Sequence, residues 1–294
     1  MLDYVLNGLM QRYQERVPDV AAIIAAMIKE DVIQIADDIE NDHIAFRTIG
    51  VPQLGIQSLE KIFLHYGYTK RAPYHFKEKK LDAYWYAPPA PKYPRIFISE
   101  LRVQDLSATA QRIITSYTDE VKVDPVSRLN LDNGTEVDVF LHSALWRTPT
   151  LADYQALAAE SEYAAWVIYN RYYLNHFTVS LQNLPVGYNT VADFNQFLER
   201  NGFKLNDSGG KIKESPDHLL LQSSTVAKMI PATFAENKTQ QIAGSYVEFA
   251  ERRVLPEFAH LPAGEIKREH RREGFEAGNA DRIFESTYSS QTQR

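Results

Sequence analysis

The sequence predicts an α+β chain built from two similar strand-rich modules, and three observations lead there. A strand-like stretch at 41–50 alternates His43, Ala45 and Arg47 against Ile44, Phe46 and Thr48. A second stretch at 175–181 repeats the theme, opening on Asn and alternating His176, Thr178 and Ser180 against Phe177, Val179 and Leu181. Each is followed by a helical pattern and then by further strands, with no tandem repeat short enough for a solenoid or propeller.

In chain order, the first thirty residues have helical spacing broken at Pro18, with Val20, Ile23, Ile24, Met27 and Ile28 on one face of the second piece. The key strand follows. Ser58 is placed as the cap of a short helix that runs to His65 and stops at Gly67. Aromatic and β-branched residues then predict strands over 81–86 and 95–101, separated by Pro88, Pro89, Pro91 and Pro94. A helix over 107–116, a turn at Asn133-Gly134 and a strand over 137–141 complete a first module at about 30–145. Residues 150–172 are helical. The second module, about 173–255, contains a helix over 191–201 stopped by Gly202, a turn at 207–210, and strands over 219–223 and 246–250. An extension, 256–294, follows, and the whole is expected to form a single catalytic domain.

Composition narrows the chemistry. With 44% hydrophobic and 12% aromatic residues the 294-residue chain can bury a substantial core. Its net charge of −6 gives no general attraction to nucleic acid or anionic lipid. The densest basic run, 267–273, interleaves Glu269 and Glu273 and is expected to be a solvated face. Zero cysteines exclude disulfides, thiolate zinc, iron–sulfur clusters and thiol catalysis, so any metal must sit on His and carboxylates. No apolar run reaches the ~18 residues of a membrane span, and no secretory pattern opens the chain, so a cytoplasmic protein without membrane contact is expected.

Taken alone, a histidine on a half-buried strand is a hydrogen-bonded core residue. What raises His43 and His176 is that each opens a module, while Glu248 lies on the strand closing the second. Two His and one carboxylate from separate strands make the facial set that leaves positions open on Fe(II). Arg47 lies about 13 Å along the same strand face from His43, a placement that suits a bidentate clamp on a carboxylate as well as a plain surface ion pair. Glu100 closes the first module as Glu248 closes the second; it is expected near the site, orienting a ligand from behind rather than holding metal. His142 and His218 have no visible partner and are taken as structural, and Gly209-Gly210 is a turn rather than a phosphate loop.

Asn-Asp-His-Ile-Ala-Phe-Arg-Thr at 41–48, Asn-His-Phe-Thr at 175–178 and Tyr-Val-Glu-Phe-Ala-Glu-Arg-Arg at 246–253 together resemble the 2-oxoadipate dioxygenase/decarboxylase family. The segment at 274–287 shares in the resemblance, which covers most of the chain. It implies a vicinal-oxygen-chelate fold of paired βαβββ modules around a metal, with added helices. It also implies Fe(II) held by His43, His176 and Glu248, with Arg47 on a substrate carboxylate. The implied reaction takes 2-oxoadipate and O2 to 2-hydroxyglutarate and CO2, a step of lysine catabolism. The alternatives are a redox-neutral glyoxalase-like isomerase, lyase or hydrolase on the same ligands, and a non-catalytic small-acid-binding protein of this fold. Asn279, Ile283 and Phe284, unlike residues of a solvated tail, are expected to cap the pocket mouth.

Overall fold

The computed structural model describes residues 1–293. Two helices, α1 (Leu2–Arg16) and α2 (Pro18–Lys29), precede the first module. That module is β1 (Asn41–Ile49), α3 (Ile56–His65), β2 (Thr69–Phe76), β3 (Leu81–Ala87) and β4 (Arg95–Leu101). A helical connection follows: α4 (Ala108–Thr118), α5 (Gly134–Leu141), α6 (Leu151–Glu160) and α7 (Glu162–Asn170). The second module is β5 (His176–Ser180), α8 (Val191–Arg200), β6 (Lys213–Glu214) and β7 (Leu220–Ser224), then a hairpin of β8 (Met229–Thr233) and β9 (Thr239–Ala243), and finally β10 (Tyr246–Arg252). Short helices α9 (Ala277–Ile283) and α10 (Ser289–Thr292) end the chain. Among the described residues no helix is long and apolar enough to cross a membrane.

Eight of these strands form one sheet in the order β2-β3-β4-β1-β5-β10-β7-β6, and β8 and β9 form a separate two-stranded sheet. Within each module the first strand pairs parallel with the last, β1 with β4 and β5 with β10, and the modules join through antiparallel β1 and β5. Each half is therefore a βαβββ unit. The helix of each unit covers the same face: Phe63 of α3 packs on Phe46, and Phe194 of α8 packs on Phe249. A flat sheet of eight strands would be ~34 Å wide, whereas α9, about 10 Å long, touches β2 at one edge and both β6 and β7 at the other. The sheet therefore curls, and its concave face looks toward the C-terminal segment.

Three local expectations are corrected, and one unpredicted strand is added. Residues 137–141 are helical, not a strand: Asn133 caps α5 through the Glu136 N–H, and Val137, Phe140 and Leu141 are buried while Val139 is exposed. That burial has period 3.6, which a five-residue apolar window cannot distinguish from period 2. β2 escapes detection because Pro73 and its mostly exposed side chains break the alternation, both tolerated on an edge strand. Ser58 lies inside α3, bonded to Asp124, and does not cap it. The basic run at 267–273 is not simply solvated: Arg268 donates to the carbonyls of Pro91 and Tyr93, Arg271 to that of Arg252, and Glu273 binds Arg95.

Candidate active site

Strand register decides which side chains meet. On the concave face His43 of β1 stands opposite Thr178 of β5, Ala45 opposite His176, and Thr178 in turn opposite Glu248 of β10. His43, His176 and Glu248 consequently converge, and their ligand-capable atoms all lie within 4.8 Å of one another. The His43 and His176 Nε2 atoms are 3.4 Å apart; Glu248 Oε1 is 3.3 Å from the former and Oε2 is 3.1 Å from the latter. All three are buried.

The outer nitrogen of each imidazole is occupied. His43 Nδ1 meets Asp42 Oδ1 at 2.8 Å and His176 Nδ1 meets Asn175 Oδ1 at 3.1 Å. Those oxygens accept the Nδ1 protons, which leaves both Nε2 atoms pointing toward Glu248. Asp42 reaches its histidine because β1 carries an extra residue there: Asn41 faces Val179 and His43 faces Thr178, a bulge that redirects the Asp42 side chain. Arg95 and Arg252 clamp Asp42 from behind at 3.1 and 2.6 Å, and the exposed Glu273 carries the network from Arg95 to the surface. Burial opposes ionisation of Asp42, but Arg252 and Arg95 outweigh it and hold its pKa well below the carboxylate range.

The same balance acts at the centre. Burial raises the Glu248 pKa, His43 and His176 lower it, and the outcome is about 2. Burial lowers the His43 pKa, yet Glu248 and Asp42 leave it above the ordinary value; at His176 burial prevails and the pKa falls. Two inward Nε2 atoms around an ionised carboxylate are a donor set for a divalent cation of the imidazole-and-carboxylate class.

Arg47, two places further along the same face of β1 than Ala45, is buried, and among the described residues no carboxylate pairs with it. Its Nη1 donates to Thr287 Oγ1 (2.9 Å) and its Nη2 to the Phe284 carbonyl (3.0 Å), while Nε has no partner. Tyr163, Trp166 and Phe284 surround the guanidinium at 5.1–5.7 Å. The buried Tyr246 hydroxyl makes no hydrogen bond of normal geometry but lies beside Arg47, which opposes the rise that burial gives its pKa, and its ring stacks on His176 at 4.8 Å. A buried cation with spare donors and no acid partner is costly unless an anion completes it.

The chain matches the family model for 2-oxoadipate dioxygenase/decarboxylase over residues 5–261. It belongs to the 2-oxoadipate dioxygenase/decarboxylase family. It is 43% identical over 99% of its length to the rice (Oryza sativa subsp. japonica) 2-oxoadipate dioxygenase/decarboxylase, chloroplastic/amyloplastic, covering 79% of that protein. The rice hydroxyglutarate synthase crystallised with 2-oxoadipate superposes with a TM-score of 0.88 at 42% identity, covering 99% of this chain and 93% of that one. A glyoxalase-superfamily structure from Ralstonia eutropha JMP134, described there as putative, shares the fold: TM-score 0.66 at 22% identity, over 92% of this chain and 84% of that one.

Against that family setting, the remaining sequence-predicted residues fall as follows. Asn279, Ile283 and Phe284 are buried against the concave face; Ile283 clusters with Tyr246, and Phe284 packs on Phe76, Phe97 and Tyr163. Glu100 is elsewhere. It pairs with Thr48 and so projects from the opposite face to His43 and Arg47, where its Oε2 accepts the Ile56 N–H at 2.7 Å at the start of α3. The register between β1 and β4, which fixes that face, is absent from the sequence. We expect Glu100→Gln to leave metal stoichiometry unchanged, because an amide oxygen can still accept from Ile56; loss of metal on elemental analysis would return Glu100 to the site. His142 bonds the Asp138 carbonyl and His218 pairs with Glu214, both away from the centre. Asp42, Thr178 and Gln222 touch the His–His–Glu cluster without having been singled out by sequence; only the Asn-Asp-His triplet pointed toward one of them.

Proposed function

We propose that this chain is an Fe(II)-dependent dioxygenase that decarboxylates 2-oxoadipate, forming 2-hydroxyglutarate and CO2 with consumption of one O2. The observation that carries the reading is the pairing, on one face of the sheet, of a buried two-His, one-carboxylate cluster with a buried Arg that lacks an acid partner. Family membership supplies the reaction class, and atoms balance: a six-carbon oxo diacid plus O2 gives a five-carbon hydroxy diacid plus CO2. His43, His176 and Glu248 would hold the iron, which when bound supplies coordination positions for the 2-oxo acid and O2 and the electrons that activate O2.

The protein does the rest. Asp42 and Asn175 keep both imidazoles in the tautomer that ligates. Arg47 takes the distal carboxylate and so aligns the chain between it and the metal; an error of about 1 Å in that alignment is enough to cost ~10²-fold in rate. Phe275, against His43 at 4.7 Å, and Phe284 exclude water from the space around them.

Anaerobic reconstitution with Fe(II), followed by O2 uptake over 2-oxo acids of increasing length, tests the proposal. The expected result is fastest uptake with 2-oxoadipate and one 2-hydroxyglutarate and one CO2 per O2. Turnover without O2 would instead identify a redox-neutral metal enzyme, and binding without turnover a small-acid carrier.

A further inference from the structure

Gln222 lies on β7 opposite Ala250, two places from the Ser224–Glu248 pair, and is buried on the concave face. Its side-chain nitrogen donates to Glu248 Oε1 at 2.5 Å. Its oxygen accepts from Asn279 Nδ2 at 3.0 Å. That Asn279 nitrogen also lies 3.3 Å from the backbone carbonyls of Leu220 and Lys213. Carbonyls only accept, so the Asn279 NH2 must face them; Gln222 must then turn its oxygen to Asn279 and its NH2 to Glu248. The orientation of both amides follows from two strand carbonyls.

From this chain of donors we infer that Gln222, held in one orientation by Asn279 of α9, is a positioning residue that keeps Glu248 a single-oxygen metal ligand. The inference rests on the metal reading above. Both carboxylate oxygens face the imidazoles, Oε1 at 3.3 Å from His43 Nε2 and Oε2 at 3.1 Å from His176 Nε2, but only Oε1 is held by the Gln222 donor, which leaves Oε2 as the oxygen free to meet the cation. A carboxylate free to swing would bind through both oxygens and take a position that the two oxygens of a 2-oxo acid and O2 together require. Because Asn279 belongs to the C-terminal segment, the element that covers the pocket also sets the geometry of a ligand beneath it.

The test measures Fe(II) affinity anaerobically by chelator competition, Co(II) absorption as a report of coordination number, and O2 consumed per 2-hydroxyglutarate formed. Gln222→Met removes the donor at nearly constant volume. Asn279→Asp cannot donate, so Gln222 turns its NH2 toward the new carboxylate and its carbonyl toward Glu248. Each is expected to weaken Fe(II) binding ~10–100-fold, to shift the Co(II) spectrum toward higher coordination and to raise the O2-to-product ratio above one. The double variant should be no worse than the more affected single, since both act through one hydrogen bond to Glu248. Asn279→Ser retains a donor and should recover part of the affinity, which also covers the case of Asn279→Asp failing to fold. Wild-type Fe(II) affinity and Co(II) spectrum in folded Gln222→Met would overturn the inference while leaving the metal site standing. Absence of metal binding in the unaltered chain would overturn the ligand reading, and this one with it.

Discussion

Glu248→Gln is expected to bring bound iron close to zero, a loss larger than the ~10–100-fold that follows removal of a hydrogen bond behind a ligand. The amide keeps the volume but removes the only negative charge in the three-residue set, and it places a second NH2 against that of Gln222. His176→Ala, which removes one inward Nε2, should act in the same direction. Elemental analysis after anaerobic reconstitution checks both, and stoichiometric iron in Glu248→Gln would remove it from the ligand set.

The same cluster predicts a pH dependence. Without metal the centre keeps its proton on His43, whose pKa is raised, while that of His176 is lowered and that of Glu248 sits near 2. For the metal-free protein the His43 contribution to stability is present below the unfolded pKa of about 6.5 and is lost as pH rises through the folded value. A cation must displace that proton, so apparent metal affinity should fall roughly tenfold per pH unit below the raised His43 pKa and level off above it. The Tm increment on adding metal should accordingly grow with pH across this window. An increment flat from pH 5 to 8 would mean that no proton is exchanged.

How far the site was legible depends on periodicity and its exceptions. Alternation places His43 and Arg47 on one face of β1, and the structure has them so, with His176 aligned by the β1–β5 register. Strict alternation would send Asp42 to the opposite face, and only the bulge lets it reach His43 Nδ1. Glu100 failed for a related cause: its kinship with Glu248 as a module-closing acid is a matter of topology, but its face depends on pairing with Thr48 rather than with Arg47. Gln222 sits in Leu-Leu-Leu-Gln-Ser-Ser, with nothing local to mark it; its meaning comes from Asn279, 57 residues later. The two βαβββ units were legible from the Asn–His openings and the helix after each, whereas β2 and the β8–β9 hairpin, edge and accessory strands with largely exposed side chains, were not.

Arg47→Ala should retain iron, lose about 10²–10⁴-fold in kcat/KM on 2-oxoadipate, and lose far less on a 2-oxo monoacid of similar length. The magnitude follows from deleting one partner of a desolvated, charge-assisted pair, about 3–5 kcal/mol. The selectivity follows from geometry: chelation would tie the oxo-acid end to the cation at His43, so the guanidinium further along β1 meets the other end. Arg47→Lys keeps the charge but loses the planar fork that now reaches Thr287 and Phe284 while leaving Nε free, and should fall between the two. Because Arg47 also ties down the C-terminal segment, Thr287→Val is the control: it removes one of the two ties, leaving that to the Phe284 carbonyl, without touching the charge, so it should loosen the segment without distinguishing diacid from monoacid. Equal losses on both substrates in Arg47→Ala would place the guanidinium at the chelating carboxylate, and wild-type rates on both would take it out of the site altogether.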